Sequence, residues 1–189
     1  MNAQLRNLLL LFLLAFPAAQ ARADEYSDTI EVFRKAGESS QFFGKSYGYA
    51  VLPTIGKGGF VVGGAHGKGR VYARGAYVGD TSMTQLTVGF QLGGEAYSQI
   101  IFFEDKRAFD EFTSGNFEFG AQATAVAITA GASAQAGTTG PSASASGTQH
   151  SAKTAAKYYK GMAVFTVAKG GLMYEASIGG QKFGYSPRK

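Results

Sequence analysis

The sequence predicts an α+β fold: an antiparallel, curved or barrel-like β-sheet with an N-terminal helical segment and one inserted helix. The chain has 27 glycines in 189 residues, roughly twice the average frequency of about 7%. It also has 15 Phe and 10 Tyr, whereas disordered chains contain few aromatic residues. Apolar residues follow helical spacing up to residue 46 and mostly a period of two after it, which is typical of a helix followed by a sheet.

Residues 1–23 have the three parts of a secretory signal peptide. Arg6 supplies the positive region, Leu8–Phe16 is the apolar region and Ala21–Ala23 is an A-x-A cleavage site. The apolar run is shorter than the roughly 20 residues of a bilayer span, although an uncleaved anchor is an alternative. Asp24, not Cys, follows the cleavage site, which excludes a bacterial lipoprotein. We expect a periplasmic protein, exported by a cleavable leader and able to associate with a membrane.

The mature chain, residues 24–189, has the size of a single domain. The full sequence has a formal net charge of +5, and Arg6 and Arg22 leave with the leader. This weak basicity does not require a nucleic-acid partner. The chain has no cysteine, which excludes thiol catalysis and thiolate metal sites.

The segment 24–46 is predicted to be helical. Ile30, Phe33 and Ala36 share one face, which Val32 broadens. Gly37 is expected to end the first helix. A second short helix then carries the two phenylalanines at 42 and 43.

The β-rich core is predicted over residues 47–180. Pro53 suggests an edge strand or the end of a strand, and His66–Gly69 reads as a turn before a strand at Arg70–Arg74. The sheet is expected to have six to nine strands. The other predicted elements are strands at Leu86–Leu92, Tyr97–Phe103, Gln122–Ala132, Met162–Ala168 and Leu172–Ile178, a helix at Glu104–Phe112, a hairpin turn at Lys169–Gly171 and a low-complexity loop at 137–152.

The glycine-rich stretch Gly56–Arg70 raises the question of a phosphate-binding loop. A P-loop needs Ser or Thr after its Gly-Lys pair, but Gly69 follows Gly67-Lys68 here, and Val62 replaces the first glycine. The two histidines, at 66 and 150, lie in no metal-binding motif, and no G-x-S-x-G elbow is present. The sequence therefore predicts a protein that is not an enzyme and needs no metal or cofactor.

Two groups of basic residues are the candidate binding residues. The first surrounds the glycine-rich stretch, and the second has helical spacing beside Tyr158 and Tyr159. Basic residues beside tyrosines suit an anionic membrane surface, although solubilising charge is the simpler explanation. The seven candidate lipid-binding residues are Lys57, Lys68, Arg70, Arg74, Lys153, Lys157 and Lys160. An outer-membrane barrel is a weaker alternative, because several strands are apolar on both faces.

Four blocks of sequence resemble the SYLF domain, and the resemblance extends from about Phe33 to Gly180. The blocks are Tyr47–Tyr72, Leu86–Phe103, the Phe109-Phe112-Phe119-Gly120-Ala121 pattern and Lys169–Gly180. The resemblance implies a non-enzymatic module whose eukaryotic members bind phosphoinositides and, in some cases, actin. The segment Asp24–Gly37 is net acidic here, where those members use a basic one, and Phe165-Thr166-Val167 replaces their usual Ser-Tyr-Ser.

The resemblance and the basic clusters together predict a lipid- or membrane-binding domain of the bacterial periplasm. The expected partner is anionic phospholipid or a membrane surface, with envelope proteins as further partners. Actin is not expected in that compartment. The alternative is a structural or protein-interaction module of the cell envelope, and a hydrolase is the third choice.

Overall fold

A computed structural model describes residues 17–59, 62–88, 95–121, 123–128, 157–169 and 178–189 of the chain. Outside this set lie residues 1–16, the predicted loop 137–152 and Lys153. Residues 89–92 of the predicted strand Leu86–Leu92 and most of the predicted strand Leu172–Ile178 lie outside it as well. The elements in chain order are α1 Pro17–Lys35, α2 Gly37–Ser40, β1 Gly48–Gly59, β2 Val62–Ala73, β3 Ala76–Val88, β4 Glu95–Phe103, α3 Lys106–Phe112, β5 Phe117–Glu118, β6 Val126–Ile128, β7 Met162–Lys169 and β8 Lys182–Pro187.

Within the described residues, eight strands form one sheet in the order β5-β8-β3-β2-β1-β4-β7-β6. The sheet curls strongly into a half-barrel and dominates the molecule, which confirms the α+β class. The sheet is mixed, however, because β6 pairs with β7 in parallel. A long stretch of chain separates these two strands, and a parallel pair requires such a connection.

Strand β4 is buried on both faces, as its continuous apolar run predicts. Tyr97, Ile101 and Phe103 belong to a first core, whereas Ile100 and Phe102 belong to a second core. The first core also contains residues of α3 and of strands β8 and β7, which lie near opposite ends of the sheet order. It therefore lies inside the curl, and the second core lies outside it under the N-terminal helices.

The N-terminal helices cover the second core. Phe33 and Ala36 are buried there as predicted, but Val32 is 43% exposed and does not broaden the apolar face. Gly37 begins α2 instead of ending α1, and Phe42 lies in the turn after α2. Helix α1 runs through the predicted cleavage site, so processing after Ala23 would leave its C-terminal part on the sheet.

Helix α3 forms inside the predicted range and closes one end of the first core. It begins after Asp105, whose carboxylate accepts a hydrogen bond from the Ala108 backbone N–H at 2.8 Å, as an N-cap does. Ala108 and Phe112 are fully buried. The charged residues of the helix face solvent, as predicted, and form i,i+4 ion pairs such as Lys106–Asp110 at 2.6 Å.

The predicted turn at His66–Gly69 is wrong, because these residues lie inside β2. The glycines there serve close packing. A Cβ at Gly69 would lie 2.6 Å from the Val51 carbonyl oxygen and 2.8 Å from Leu52 Cγ. Only glycine lets β2 approach this part of β1 so closely.

Both positions predicted for Pro53, in an edge strand or at the end of a strand, are also wrong, because β1 continues to Gly59 and lies between β2 and β4. The register of β1 shifts against both neighbours around Pro53, as at a β-bulge. A bulge tolerates a residue without a backbone N–H inside a sheet. The Pro53 carbonyl still accepts a hydrogen bond from the buried Ser98 hydroxyl at 2.7 Å.

A buried network of side-chain amides lies inside the curl. Gln99 Nε2 donates to Gln181 Oε1 at 2.9 Å, and Gln181 Nε2 donates back to Gln99 Oε1 at 3.2 Å. Gln181 Nε2 also lies 3.1 Å from the Tyr97 hydroxyl oxygen, and Gln85 Nε2 donates to the Gly179 carbonyl at 2.9 Å. Burial raises the pKa of Tyr97 to about 12, against a smaller opposing effect of its hydrogen bond with Gln181. The phenol is therefore neutral at physiological pH.

Gly69→Ala should destabilise the protein by about 1–3 kcal/mol, the usual cost of overpacking, because the new Cβ meets the β1 backbone. Gly64→Ala on the same strand is the matched control, since its Cβ would lie at an ordinary 3.5 Å from the Gln85 carbonyl oxygen. Urea unfolding followed by circular dichroism measures both free energies. Equal losses in the two variants would contradict the close approach at Gly69.

Candidate functional site

The structure divides the first group of predicted basic residues between two faces of the sheet. Lys57 on β1 is the cross-strand partner of Ala65, and Ala65 belongs to the first core. Cross-strand partners share a face, so the half-buried Lys57 lies on the inner side. Lys68 and Arg70 alternate with the buried residues of β2 and lie on the outer side.

Arg70 is part of a stack that fastens α1 to the sheet. Its guanidinium carbon lies 4.2 Å from the ring centre of Tyr26 on α1 and 5.1 Å from that of Tyr77 on β3. Arg188 also contacts the Tyr77 ring, at 4.8 Å, and the Tyr77 hydroxyl donates to Asp80 at 2.7 Å. The stack joins the N-terminal helix, the β2–β3 hairpin and the C-terminal end.

The stack also affects the acidity of its tyrosines. Burial raises the pKa of Tyr26, and the positive charge of Arg70 partly opposes this rise. Burial and the hydrogen bond to Asp80 raise the pKa of Tyr77. Both rings are therefore neutral cation–π partners at physiological pH, and Arg70 is held by α1 and β3.

The remaining basic residues occupy tight turns. Arg74 and Gly75 connect β2 to β3 with φ values of 50° and 82°, and Lys160 and Gly161 have φ values of 52° and 81°. Two successive residues with positive φ are typical of a type I′ hairpin turn, which favours Asn-Gly. Each turn therefore places a basic side chain at a position that such residues rarely occupy.

The second turn lies just before β7. The backbones of Tyr159 and Met162 exchange hydrogen bonds of 2.9 and 3.0 Å across it. The helical spacing predicted for this group is wrong over 157–160, because these residues lead into the turn and are not helical. Lys153 lies outside the described residues.

The two turns lie at the same end of the sheet. Gly48 pairs with both Ala73 and Phe103, and Phe103 pairs with Met162. The ends of β2, β1, β4 and β7 are therefore in line. With neighbouring strands about 4.8 Å apart, three strand spacings, about 14 Å along the sheet, separate β2 from β7.

Two backbone hydrogen bonds and one side-chain contact hold this end together. The N–H of Arg74 donates to the Tyr47 carbonyl at 2.9 Å, and that of Glu104 donates to the Gly161 carbonyl at 2.8 Å. The hydroxyl oxygens of Tyr158 and Ser46 are 2.8 Å apart, which brings the neighbouring Lys157 to the same end.

We call this end the turn-end surface and define it by Tyr47, Arg74, Lys157, Tyr159 and Lys160. Its three basic side chains are exposed, and Tyr159 is 69% exposed. Among the residues that the structure describes, none of the three cations forms an ion pair. Each turn cation instead lies over a tyrosine, Arg74 at 5.2 Å from the Tyr47 ring and Lys160 at 5.7 Å from that of Tyr159.

Sequence reasoning missed two parts of these assemblies. Arg-Gly and Lys-Gly, each just before a strand, could have indicated the two turns. Nothing in the sequence pattern indicates that Arg188 reaches Tyr77, since that contact depends on the pairing of β8 with β3.

In the part of the chain that the structure describes, no group of three or more His, Cys, Asp or Glu residues could hold a metal ion. None of the described helices combines the length and the apolar character that a membrane span needs.

Arg70→Met should lower the free energy of unfolding by about 0.5–2 kcal/mol, because it removes two cation–π contacts. Lys68→Met on the same face of β2 removes an exposed charge without such contacts and should change stability by less than about 0.5 kcal/mol. Urea unfolding measures the difference. If both variants were equally stable, Arg70 would not fasten α1.

The chain was also compared with known proteins. Residues 84–185 match a protein family described as Las17-binding protein actin regulator (Ysc84). The match includes Tyr159 and Lys160 of the turn-end surface. A search of curated proteins gives no match. Because the family match covers more than half of the sequence, the chain belongs to the Las17-binding protein actin regulator family, which confirms the resemblance to the SYLF domain.

Proposed function

We propose that this protein is a non-enzymatic lipid-binding module that attaches to anionic membranes through the turn-end surface. One observation carries the proposal: two tight turns present Arg74 and Lys160 at the same end of the sheet, beside exposed tyrosine and without ion-pair partners among the described residues. Membership in a family related to lipid-binding modules supports the same function.

The physical basis is the attraction of unpaired cations to a negative surface. Each Lys or Arg close to an anionic membrane contributes about 1 kcal/mol, so the three cations together give about 3 kcal/mol. Tyrosine side chains favour the membrane–water interface, and Tyr159 is well placed to enter it. Attachment of this strength is reversible and sensitive to salt.

The turn-end surface uses part of the predicted basic set. Arg74, Lys157 and Lys160 lie on it, whereas Lys57 lies on the inner face of the sheet and Arg70 is held in its stack. Lys68 is exposed on the outer face, but it lies within strand β2 and not in a loop. Binding through basic glycine-flanked loops is therefore proposed only for the two turns.

Export by the predicted leader is part of the proposal, and it rests on the sequence of residues 1–23. The family description names an actin regulator, but a periplasmic protein does not meet actin. Its membrane partner would then be the anionic phospholipid of the envelope. Mass spectrometry of the protein from periplasmic extracts tests this part, and an uncleaved chain confined to the cytosol would contradict it.

Co-sedimentation with vesicles tests the binding surface. Wild-type protein should bind phosphatidylglycerol-containing vesicles, prefer them to pure phosphatidylcholine and lose that preference at high salt. Arg74→Asn combined with Lys160→Asn should weaken binding about 30-fold, since two contributions of about 1 kcal/mol are lost. Asn suits the left-handed turn positions, so the fold should be retained.

Lys68→Asn is the control on the outer face, where it removes one positive charge against two in the double variant. Its binding should stay within a few-fold of wild type. Equal losses per charge removed in the control and the double variant would show that net charge, and not this surface, drives binding. Protein cross-links in intact cells without any lipid preference would instead favour a structural or protein-interaction module.

A further inference from the structure

A cavity of about 290 Å³ opens beside the turn-end surface. Its lining joins edge strand β5 and the residues after it to the turn before β7. These elements lie near opposite ends of the sheet order, so the curl of the sheet brings the walls together. Tyr159 and Lys160 belong both to this lining and to the turn-end surface.

The deep walls of the cavity are apolar. Phe119 and Met162 are 9% and 5% exposed, and Phe117 completes this part of the lining. The Phe117 ring packs against Phe119 at 4.9 Å and Phe112 at 5.5 Å between ring centres. These contacts hold the rings in place, which favours a preformed binding site for an apolar group.

Small residues leave the space between these walls open. Gly120, Ala121 and Ala123 form one side of the lining. A Cβ built at Gly120 meets no heavy atom within 4 Å. A larger side chain at this position could therefore enter the cavity without displacing the backbone.

The charges at the mouth favour a negative head group. Two carboxylates line the cavity, but Glu111 is paired with Arg107 at 3.3 Å and Glu118 with Lys182 at 3.5 Å. Lys160 has no ion-pair partner in the described part of the chain. Among the described residues that line the cavity, the charge without an ion-pair partner is thus the positive one of Lys160.

We infer that this cavity binds the apolar chain of a single amphiphile whose anionic head group contacts Lys160. Its volume lies at the lower end of the range for small-molecule sites, about 300–1,000 Å³, which suits one acyl chain and not two. The class of ligand is therefore a fatty acid or a lysophospholipid. The inference rests on the proposed function in one respect, namely that the cavity opens at the end of the sheet that faces lipid.

Isothermal titration with dodecanoate below its micelle concentration tests the site. The full chain should bind one dodecanoate, and Gly120→Leu should weaken binding at least about tenfold by filling the cavity. Gly56→Leu is the matched control, because its Cβ also meets nothing within 4 Å but Gly56 does not line the cavity. It should bind within about twofold of wild type, and circular dichroism verifies the fold of both variants.

Lys160→Asn should weaken dodecanoate binding about two- to fivefold, the range expected for one exposed ion pair. Lys68→Asn, which removes one positive charge from the outer face, should leave it unchanged. Dodecanol lacks the negative charge and should bind no more tightly to wild type than to Lys160→Asn. If wild type bound dodecanol more tightly than Lys160→Asn does, the role of Lys160 as the contact of a negative head group would be overturned.

Lauroyl lysophosphatidylglycerol, also below its micelle concentration, distinguishes a phosphate head group from a carboxylate. Tighter binding of either ligand supports the site and identifies its head group. If neither binds, or if Gly120→Leu binds both as wild type does, the inference is overturned. Gly120→Leu should still co-sediment with anionic vesicles, so failure of the cavity and failure of the membrane surface give different results.

Discussion

The paired amides of Gln99 and Gln181 hold together two parts of the sheet that are distant in strand order. Gln99 lies on β4 and Gln181 directly precedes β8, with β1, β2 and β3 between them. Both side chains are fully buried, and a buried amide is costly unless it is hydrogen-bonded. Each amide can satisfy the other only if the sheet curls, so the pair favours the half-barrel over a flatter sheet.

The curl determines where the candidate functional residues lie. It encloses the first core on its inner side and leaves the outer face of β4 to pack against the N-terminal helices. It also brings the residues after β5 close to the turn before β7, where the cavity forms. The turn-end surface and the cavity therefore depend on one global shape, although the residues that form them come from separate parts of the sequence.

Much of this architecture could be predicted from local patterns. The two-faced apolar run Tyr97–Phe103 and helix α3 were predicted in nearly the right places. The glycines of β2 led to the wrong prediction of a turn at His66–Gly69. A glycine required for close packing and a glycine required for a turn cannot be distinguished in a sequence. The separation of Lys57 from Arg70 could not be predicted either, since it depends on strand register around the bulge at Pro53. No local sequence pattern indicates that Gln99 and Gln181 form a reciprocal pair of hydrogen bonds.

The central claim is that the turn-end surface, and not the outer face of β2 and β3, meets the membrane. The chain has no cysteine, so a single introduced cysteine can carry a polarity-sensitive fluorophore at a chosen site. We predict that the label at Tyr159→Cys shifts to shorter wavelength with anionic vesicles, whereas the label at Ser82→Cys on the outer face does not. A shift at residue 82 without one at residue 159 would contradict the account.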